Sequence, residues 1–438
     1  MTDAPTVVGP EQPRTTEGAA PPTATANHPA PAPAVPAGRL RWSRPRTWPR
    51  DWLVLAAYWL ASRLVMLALL RQGHDDIARE VHVLYHRWDG RLRDGSFPVG
   101  DVSWQYPPGA GLVMVVPGLA PAISYLQGFV LLMIVSDAVV LVALARAAHR
   151  RQGSSLAGAW LWLLGLPLLL SLPYARYDVL VTGITVLALL ALAGRPRLGG
   201  VLAGLAAVIK VWPVLAVLGT PRGRTTREAW LALTMSAAAL LLLLGVAFRG
   251  AFDFLFAQQE RGVEIESMGG ALLHTARFLG WPGRVRHQYG SFEFVGPYVS
   301  SVALASLLLT AVAFGWLLLW RLRARRWSEA TPYDAALAAV LLFTATSRVI
   351  SPQYLIWLIG LAAVCLTVGR TTQRPVAVLL LLAAAVTTVD YPLFFGAVLN
   401  SSWQGVAVVV LRNMLLLAAT LLSCLRLWRA TVPRPRSR

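Results

Sequence analysis

The sequence predicts an all-α fold, a polytopic bundle of transmembrane helices with large outer loops. Hydrophobic residues make up 56% of the 438 residues and charged residues 14%, with a mean hydropathy of +0.55. A soluble domain averages roughly 45–50% apolar and about 25% charged residues. Several apolar stretches also approach the roughly 20 residues that a membrane-spanning helix needs. These stretches are 52–70, 122–147, 154–172, 178–194, 198–218, 229–248, 297–320, 333–347, 353–369, 375–391 and 404–427.

The two ends of the chain differ in composition from the middle. Residues 1–50 are rich in Pro and Ala and end in a basic stretch. We predict a disordered cytoplasmic tail there, because such a composition cannot bury a core. The start of the chain lacks the apolar segment of a signal peptide. Residues 51–428 are predicted to form the transmembrane domain, and residues 429–438 a second basic cytoplasmic tail.

Arginines separate the apolar stretches. The chain has 40 basic and 21 acidic residues, a formal net charge of +19, and Lys210 is its single lysine. On a soluble chain this balance would suggest nucleic acid as a partner, but here the arginines lie in short clusters between apolar stretches. The positive-inside rule assigns such clusters to the cytoplasm. We therefore predict a multi-pass protein of the cytoplasmic membrane with both termini inside and no nucleic acid partner.

Two segments are predicted to cross the membrane only in part. The stretch 198–218 has arginine clusters at both ends, so a full crossing would put one cluster outside. We predict a re-entrant element bent at Trp212-Pro213, because proline removes a backbone hydrogen-bond donor. Residues 108–121 contain Pro117 and Pro121 and are predicted to form a half-helix. The prediction is then about ten full crossings plus two partial helices.

Polar residues gather on the predicted outer side, in segments 72–106, 175–178, 249–296 and 347–354 and at Asp390. We expect the chemistry on that side. Cys365 and Cys424 lie inside apolar runs and are predicted to be packing residues in contact with lipid, which excludes a disulfide framework and a cysteine-based zinc site. The sequence has no P-loop and no HExxH pattern. Arg63 and Asp137, isolated charges in apolar stretches, are expected to find partners inside the bundle.

The first outer loop is predicted to contain an amphipathic helix over residues 77–92. Its apolar side chains recur at helical spacing, and such a helix would lie at the membrane interface. These side chains are Ile77, Val81, Leu84, Tyr85 and Trp88. The loop also carries several carboxylates, and a carboxylate at the mouth of an apolar cavity gains proton affinity, which suits a general base. The alternative for each acid is a solvated, charged loop.

Several motifs of the chain resemble glycosyltransferase family 87, a family of GT-C membrane enzymes typified by actinobacterial mannosyltransferases that use polyprenyl-phosphate-mannose. In the first outer loop they are Glu80-x-x-x-x-Tyr85-x-x-Trp88, Gly95-x-Phe97-Pro98 and Asp101-x-x-Trp104-Gln105-Tyr106-Pro107-Pro108. Later in the chain they are Arg176-Tyr177-Asp178, Gly204-Leu205-x-x-x-x-Lys210-x-Trp212-Pro213 and Ser351-Pro352-Gln353-Tyr354-Leu355-x-Trp357. The string Gln258-x-x-Arg261-Gly262-x-Glu264-x-Glu266-Ser267 is similar to one of the actinobacterial members.

The resemblance implies a catalytic base in the first outer loop. The family usually has an aspartate there, and the matching position holds Glu80, whose side chain is longer by one methylene. Asp101 is the second candidate, followed by Asp76. Because a lipid-phosphate leaving group gains negative charge, cations in a low-dielectric site stabilise it.

Three basic residues are predicted to bind the donor phosphate: Lys210, Arg348 and Arg176. Lys210 lies in an apolar stretch, where a charge is functional by default, and the alternative is a lysine that reaches to the interface. The alternatives for the two arginines are an ion pair of Arg176 with Asp178 and binding of lipid headgroups. The residues predicted to bind the sugar or the acceptor are Gln105, Tyr106, Asp178, Gln353, Tyr354, Arg261, Glu264 and Glu266. For the last three, a structural cluster of salt bridges is the alternative.

The predicted function is transfer of a hexose, mannose in the first instance, from a polyprenyl-phosphate donor to a lipid or glycan acceptor on the outer membrane face. Because a polyprenyl phosphate is already a stabilised leaving group, we expect no metal and no cofactor. One alternative is a transporter or flippase of polyprenyl-linked sugar, although the polar residues gather on one side and no internal repeat is found. The other alternative is a non-catalytic, glycan-binding relative.

Overall fold

The computed structural model describes residues 48–72, 75–150, 155–257 and 261–433. Most of the predicted N-terminal tail and the last five residues lie outside this range. The first helix, α1, is Trp48–Arg71, and the last, α17, is Trp403–Thr431. Helix α1 therefore begins three residues before the predicted boundary at position 51, and α17 continues three residues beyond position 428.

Helices dominate the described residues, as predicted. After α1 they are α2 Asp75–Arg79, α3 His86–Arg93, α4 Gly109–Gly118, α5 Tyr125–Arg150, α6 Ala157–Gly165, α7 Asp178–Leu192, α8 Pro196–Ile209, α9 Arg224–Ala247 and α10 Phe254–Ala257. The second half contains α11 Met268–Phe278, α12 Val299–Arg323, α13 Thr331–Thr346, α14 Tyr354–Leu366, α15 Arg374–Thr388 and α16 Phe395–Leu399, followed by α17.

Within the described part of the chain, six helices are long and apolar enough to cross a membrane. They span Arg50–Arg71, Tyr125–Arg150, Arg224–Ala247, Val299–Arg323, Arg374–Leu393 and Trp403–Thr431. Five shorter apolar helices have 10–17 residues. A helix of 15 residues such as α7 is about 22 Å long, shorter than the roughly 30 Å hydrocarbon core. The protein is a multi-pass helical membrane protein, and the exact number of crossings stays a prediction.

The bundle has a buried centre and an apolar periphery. Every residue of α14 from Leu355 to Cys365 is buried, and most of α13 is buried too. In contrast, α9 and α12 expose leucines along most of their length, as expected of helices that face lipid. Cys365 and Cys424 are both buried within the protein. The prediction that they contact lipid is wrong. Cys365 lies on α14, against which α13 packs, and Cys424 lies on α17 in an apolar cluster with Trp320 of α12 and Ala335 of α13.

The stretch 198–218 is broken, as predicted, but the break comes two residues early. Helix α8 ends at Ile209, and Lys210 has extended backbone angles of φ −152° and ψ 130°. A 3₁₀ helix, Trp212–Val217, then follows and packs against α8. This hairpin leaves Lys210 at its turn. The predicted half-helix at 108–121 corresponds to the ten-residue α4, which contains Pro117.

The first outer loop folds into one helical rod. A π-helical turn, Glu80–Tyr85, joins α2 to α3 without a break. The predicted stripe is on one face, because Ile77, Val81, Tyr85 and Trp88 are buried while Leu84 is half-buried. The rod packs against α4 and α5, so its apolar face is covered by protein.

The large outer loop contains a small sheet that an all-α prediction lacks. Its strands are β1 Val263–Glu264, β2 Arg284–Gln288 and β3 Ser291–Val295, arranged antiparallel in the order β1-β3-β2. Gly290, with φ +73°, forms the tight turn between β2 and β3, a conformation that glycine adopts without strain. The segment Val389–Leu393, which follows α15, is kinked at Tyr391, whose backbone angles of φ −136° and ψ 120° are not helical. Both features lie beside the cavity described next.

Candidate active site

One large cavity, of about 1310 Å³, opens among the predicted outer segments. Each of these segments contributes side chains to its wall, and so does the turn of the α8 hairpin. The residues predicted from sequence that line it are Glu80, Gln105, Tyr106, Arg176, Lys210, Arg261, Glu264, Glu266, Arg348, Gln353 and Tyr354. Asp101 and Asp178 are not among the lining residues. The side chain of Asp76 lies outside the described residues.

Glu80 is the first residue of the π-helical turn and is held through both carboxylate oxygens. The Tyr85 hydroxyl donates to Oε1 at 2.8 Å, and Arg176 Nη2 lies 2.7 Å from Oε2. The Glu80 side chain keeps 26% of its surface exposed, toward the cavity. Arg176 thus pairs with Glu80, and the alternative prediction of an Arg176–Asp178 pair is wrong.

Asp178 pairs with Lys210 instead. Lys210 Nζ lies 2.6 Å from Asp178 Oδ1, and Trp357 Nε1 donates to the same oxygen at 2.5 Å. The ammonium group also lies over the rings of Trp357 and Tyr177, at 4.8 and 4.9 Å from their centroids. Cation–π contacts of this kind hold a desolvated ammonium in place. Asp178 is buried behind Lys210, so its predicted contact with the sugar is not supported, and it orients the lysine.

Asp101 is engaged away from the cavity. Its carboxylate accepts hydrogen bonds from Trp88 Nε1 at 3.0 Å and from the Ser103 amide at 2.9 Å. These bonds cap the turn that follows the rod. Of the first two candidates for the base, Glu80 reaches the cavity wall and Asp101 does not.

Aromatic rings and amides form much of the remaining wall. Tyr106 packs edge-on against Tyr177, with ring centroids 5.4 Å apart, and Tyr354 stacks on Trp357 at 3.9 Å. Gln105 and Gln353 also line the cavity. Stacked rings beside amide groups are suited to a sugar, which offers both apolar faces and hydroxyls.

Arg261 and Arg348 lie on the sheet side of the cavity. Arg261 Nε lies 3.1 Å from Glu293 Oε1 on β3, and this buried carboxylate also accepts from the Gly262 amide. Burial, and then the neighbouring Arg261 guanidinium, lowers the pKa of Arg348. The backbone carbonyl of Arg348 accepts from the Glu264 amide at 3.0 Å. This bond ties the sheet to the segment 347–354.

Glu264 and Glu266 form a buried acidic group at the same wall. Glu264 Oε2 accepts from the Ile350 and Glu266 amides, each at 3.2 Å, and burial raises the Glu264 pKa to about 8. Arg412, buried in α17, lies 2.9 Å from Glu266 Oε1 and 3.1 Å from Asp390 Oδ2. Burial, then the nearby Asp390 and Glu264, raises the Glu266 pKa as well. The alternative of a salt bridge applies to Arg261, paired with Glu293, and to Glu266, paired with Arg412, while the hydrogen bonds of Glu264 come from backbone amides.

Sequence reasoning missed the residues that support this site. Tyr85, Trp357 and Arg412 each bond directly to a predicted site residue. Tyr85 and Trp357 are part of the motifs, and Tyr85 also belongs to the predicted apolar stripe, but neither was predicted as a site residue. An arginine in the interior of the apolar stretch 404–427 was the available signal for Arg412. In the described part of the chain, no group of three or more His, Cys, Asp or Glu could hold a metal ion.

Comparison with known proteins shows which family the chain belongs to. The model of glycosyltransferase family 87 matches residues 104–352, more than half of the 438 residues. Glu80 and Asp101 lie before the matched range. The crystal structure of ArnT from Cupriavidus metallidurans in the apo state has a TM-score of 0.44 and 14% identity, over 87% of this chain and 78% of that one, a likeness too low to carry a functional conclusion. No curated protein matches the chain in sequence.

Proposed function

The chain belongs to glycosyltransferase family 87, and we propose that this membrane glycosyltransferase transfers a hexose, mannose in the first instance, from a polyprenyl-phosphate donor to a lipid or glycan acceptor. The observation that carries the proposal is the joint presence of Glu80 and Lys210 in the wall of one cavity. A carboxylate and a caged cation are the two groups that a glycosyl transfer from a lipid phosphate requires. The rest of the wall offers rings and amides to a sugar.

In the proposed reaction, Glu80 takes the proton of the acceptor hydroxyl while the acceptor oxygen forms a bond to the anomeric carbon. The bond between that carbon and the phosphate oxygen breaks, and its electron pair goes to the phosphate. Lys210 and Arg348 stabilise the charge of the departing polyprenyl phosphate. If the displacement is a single step, the anomeric configuration inverts.

The acceptor hydroxyl and the sugar are proposed to contact Gln105, Tyr106, Gln353 and Tyr354, with Arg261 and Glu264 at the sheet side. A cavity of about 1310 Å³ exceeds the roughly 300–1,000 Å³ of a pocket for one small ligand. Its size therefore supports simultaneous binding of a donor headgroup and an acceptor. Glu266, bonded to Arg412, is proposed to support the wall.

The test is a transfer assay with purified protein, polyprenyl-phosphate-mannose and a panel of glycolipid acceptors. We expect Glu80→Gln to lower kcat by roughly 10²–10⁴-fold, the usual contribution of a general base, while Asp101→Asn, the matched change at the other candidate acid, keeps kcat within about tenfold. Full activity of Glu80→Gln would reject the base assignment. Movement of the intact donor across a vesicle bilayer without release of sugar would favour a transporter. Binding of glycan without transfer or transport would favour a non-catalytic relative.

The proposed location is the cytoplasmic membrane, with both termini inside and the cavity on the outer side. The gathering of all predicted outer segments around one cavity supports this orientation. A single cysteine placed at Arg224, which follows the re-entrant hairpin, tests it. Labelling of that cysteine by a membrane-impermeant reagent from outside intact cells would contradict the topology.

A further inference from the structure

The carboxylate of Glu80 lies in an arrangement that the π-helical turn creates. We propose that Tyr85 is a positioning residue for Glu80, that Arg176 acts with it, and that neither has the donor phosphate as its main partner. This inference rests on the proposed function, in which Glu80 is the base. It assigns Arg176 a role different from the phosphate contact predicted from the sequence.

Each carboxylate oxygen of Glu80 has its own fixed hydrogen-bond donor. Tyr85 holds Oε1 at 2.8 Å, and Arg176 holds Oε2 at 2.7 Å. Each carboxylate oxygen has two acceptor positions, so one position per oxygen remains for an acceptor hydroxyl. A glutamate side chain has three rotatable bonds, and a second fixed contact removes freedom that one contact would leave.

The π-helical turn is what makes the Tyr85 contact possible. In an α-helix successive residues turn by about 100°, so residues five apart lie about 140° from each other around the axis. Here the His86 amide bonds to the Val81 carbonyl, five residues back, and the wider turn brings Glu80 and Tyr85 to the same side. Turns of this kind occur frequently at functional sites.

Tyr85 itself is held rigidly by its ring. Its side chain is fully buried and packs against Trp88, Phe129 and Tyr177, with ring centroids 5.6–6.2 Å apart. Its only polar atom, the hydroxyl, donates to Glu80. A tyrosine placed in a core only for packing gains nothing from a hydroxyl, so the hydrogen bond is the specific reason for a tyrosine here.

Arg176 has few donors left for a phosphate. Nη1 donates to the carbonyls of Ala175 and Ile77, at 2.7 and 3.2 Å, and Nη2 contacts Glu80. The guanidinium is therefore fixed by one carboxylate and two backbone carbonyls. Three of the five N–H groups of the arginine are thus engaged, and bidentate binding of a phosphate would have to share Nη2 with Glu80.

The test is Tyr85→Phe, which removes the hydroxyl and keeps the ring. We expect kcat to fall roughly 10- to 100-fold, the effect of losing one hydrogen bond to an ionised group, with the donor KM within about twofold of wild type. Tyr85→Phe in a Glu80→Gln background is expected to cause no further loss, because the two residues act as one unit. Tyr125→Phe is the matched control: this buried hydroxyl donates to the Met114 carbonyl at 2.8 Å, away from the cavity, and kcat is expected to stay unchanged.

A second measurement needs no turnover. The rate at which a water-soluble carbodiimide modifies Glu80, followed by mass spectrometry, should rise in Tyr85→Phe and stay at the wild-type value in Tyr125→Phe. A wild-type kcat and an unchanged modification rate in Tyr85→Phe would overturn the inference, and so would additive losses in the double variant. An active wild type with an active Glu80→Gln would instead reject the proposed base. If no substrate turns over, the modification rate alone decides whether Tyr85 positions Glu80.

Discussion

Two arginine–carboxylate ion pairs with similar N–O distances lie in different parts of the molecule. Arg63 Nε lies 2.8 Å from Asp137 Oδ2, with side-chain exposures of 2% and 0%, in the bundle between α1 and α5. Arg176 Nη2 lies 2.7 Å from Glu80 Oε2, in the wall of the cavity. Both pairs join residues far apart in sequence, and both bring a charge into an apolar protein.

The difference lies in how many acceptor positions of the carboxylate are used. Asp137 accepts from Arg63 through two nitrogens and also from Trp59, Trp162 and Tyr174. Such a carboxylate has no capacity left and no access to a substrate. Glu80 accepts from two residues and keeps 26% of its side chain exposed. A saturated, sealed pair stabilises the fold, whereas a pair with open acceptor positions beside a cavity can carry chemistry.

The largest expected effect is the loss of stability when the buried Arg63–Asp137 pair is broken. Arg63→Met keeps the length of the side chain and removes its charge, which leaves Asp137 buried without its counterion. Removing one partner of a buried pair costs about 3–5 kcal/mol, so we expect a large fall in the melting temperature of the detergent-solubilised protein, measured by differential scanning fluorimetry. The fraction that remains folded should keep its activity per molecule.

Arg176→Met is the matched change at the open pair. Water in the cavity can hydrate Glu80 when its partner is gone, so the loss of melting temperature should be smaller than that of Arg63→Met. The activity per folded molecule should fall. Equal losses of stability in the two variants would mean that exposure to the cavity does not separate the pairs.

Lys210 and Asp178 form a third ion pair, in which the carboxylate is buried, as in the Arg63–Asp137 pair, and the cation lines the cavity. Asp178 is sealed, but the Lys210 side chain keeps 15% of its surface exposed and lines the cavity. We expect Lys210→Met to lower kcat by roughly 10²–10³-fold, as loss of one group that stabilises transition-state charge does. Lys210→Arg should not restore the rate, because a planar guanidinium fits the rings of Tyr177, Tyr354 and Trp357 around this site differently. Wild-type kcat in Lys210→Met would assign this lysine to structure alone.

The helical bundle, the break near Trp212 and the family resemblance were predictable from sequence, because apolar length, proline and motif order are local signals. The sequence predicted that Arg63 and Asp137 have partners inside the bundle, but not that they pair with each other. Which partners they find depends on helix packing, and the spacing of 74 residues between them carries no such information. The same applies to Arg176, where the nearer Asp178 was considered and Glu80 proved to be the partner.

The small sheet and the acidic wall were harder to predict. The strand β1 has two residues, too few for an alternation pattern, and it exists because β3 pairs with it. Glu264 was predicted to bind the sugar or the acceptor, but its burial was not predicted. Its burial results from contact with the Ile350 backbone, which a single sequence does not reveal.

A smaller effect is expected on the pH dependence of the melting temperature, to which Glu264 contributes. Burial raises its pKa to about 8 from an ordinary value of 4.5, so the folded protein keeps a proton that the unfolded chain releases. The stability that this proton provides is full below pH 4.5 and is lost as the pH rises toward 8. Glu264→Gln mimics the neutral form and should give a shallower decline of melting temperature between pH 5 and 8. The decline should not vanish, because the Glu266 pKa is raised too; an unchanged slope would mean that Glu264 is ionised throughout.

The smallest effect is expected at an exposed pair of nearly the same length. Arg224 Nε lies 2.6 Å from Glu228 Oε1, one turn away on α9, and the arginine side chain is 87% exposed. Surface pairs of this kind contribute little, because water and salt screen the charges and two long side chains lose rotational freedom. Glu228→Gln keeps the side-chain length, so we expect no measurable change in melting temperature or in kcat, at low and at high salt. If this variant lost as much stability as Arg63→Met, ion-pair distance rather than saturation and burial would determine what a pair contributes, and the contrast between Asp137 and Glu80 would lose its meaning.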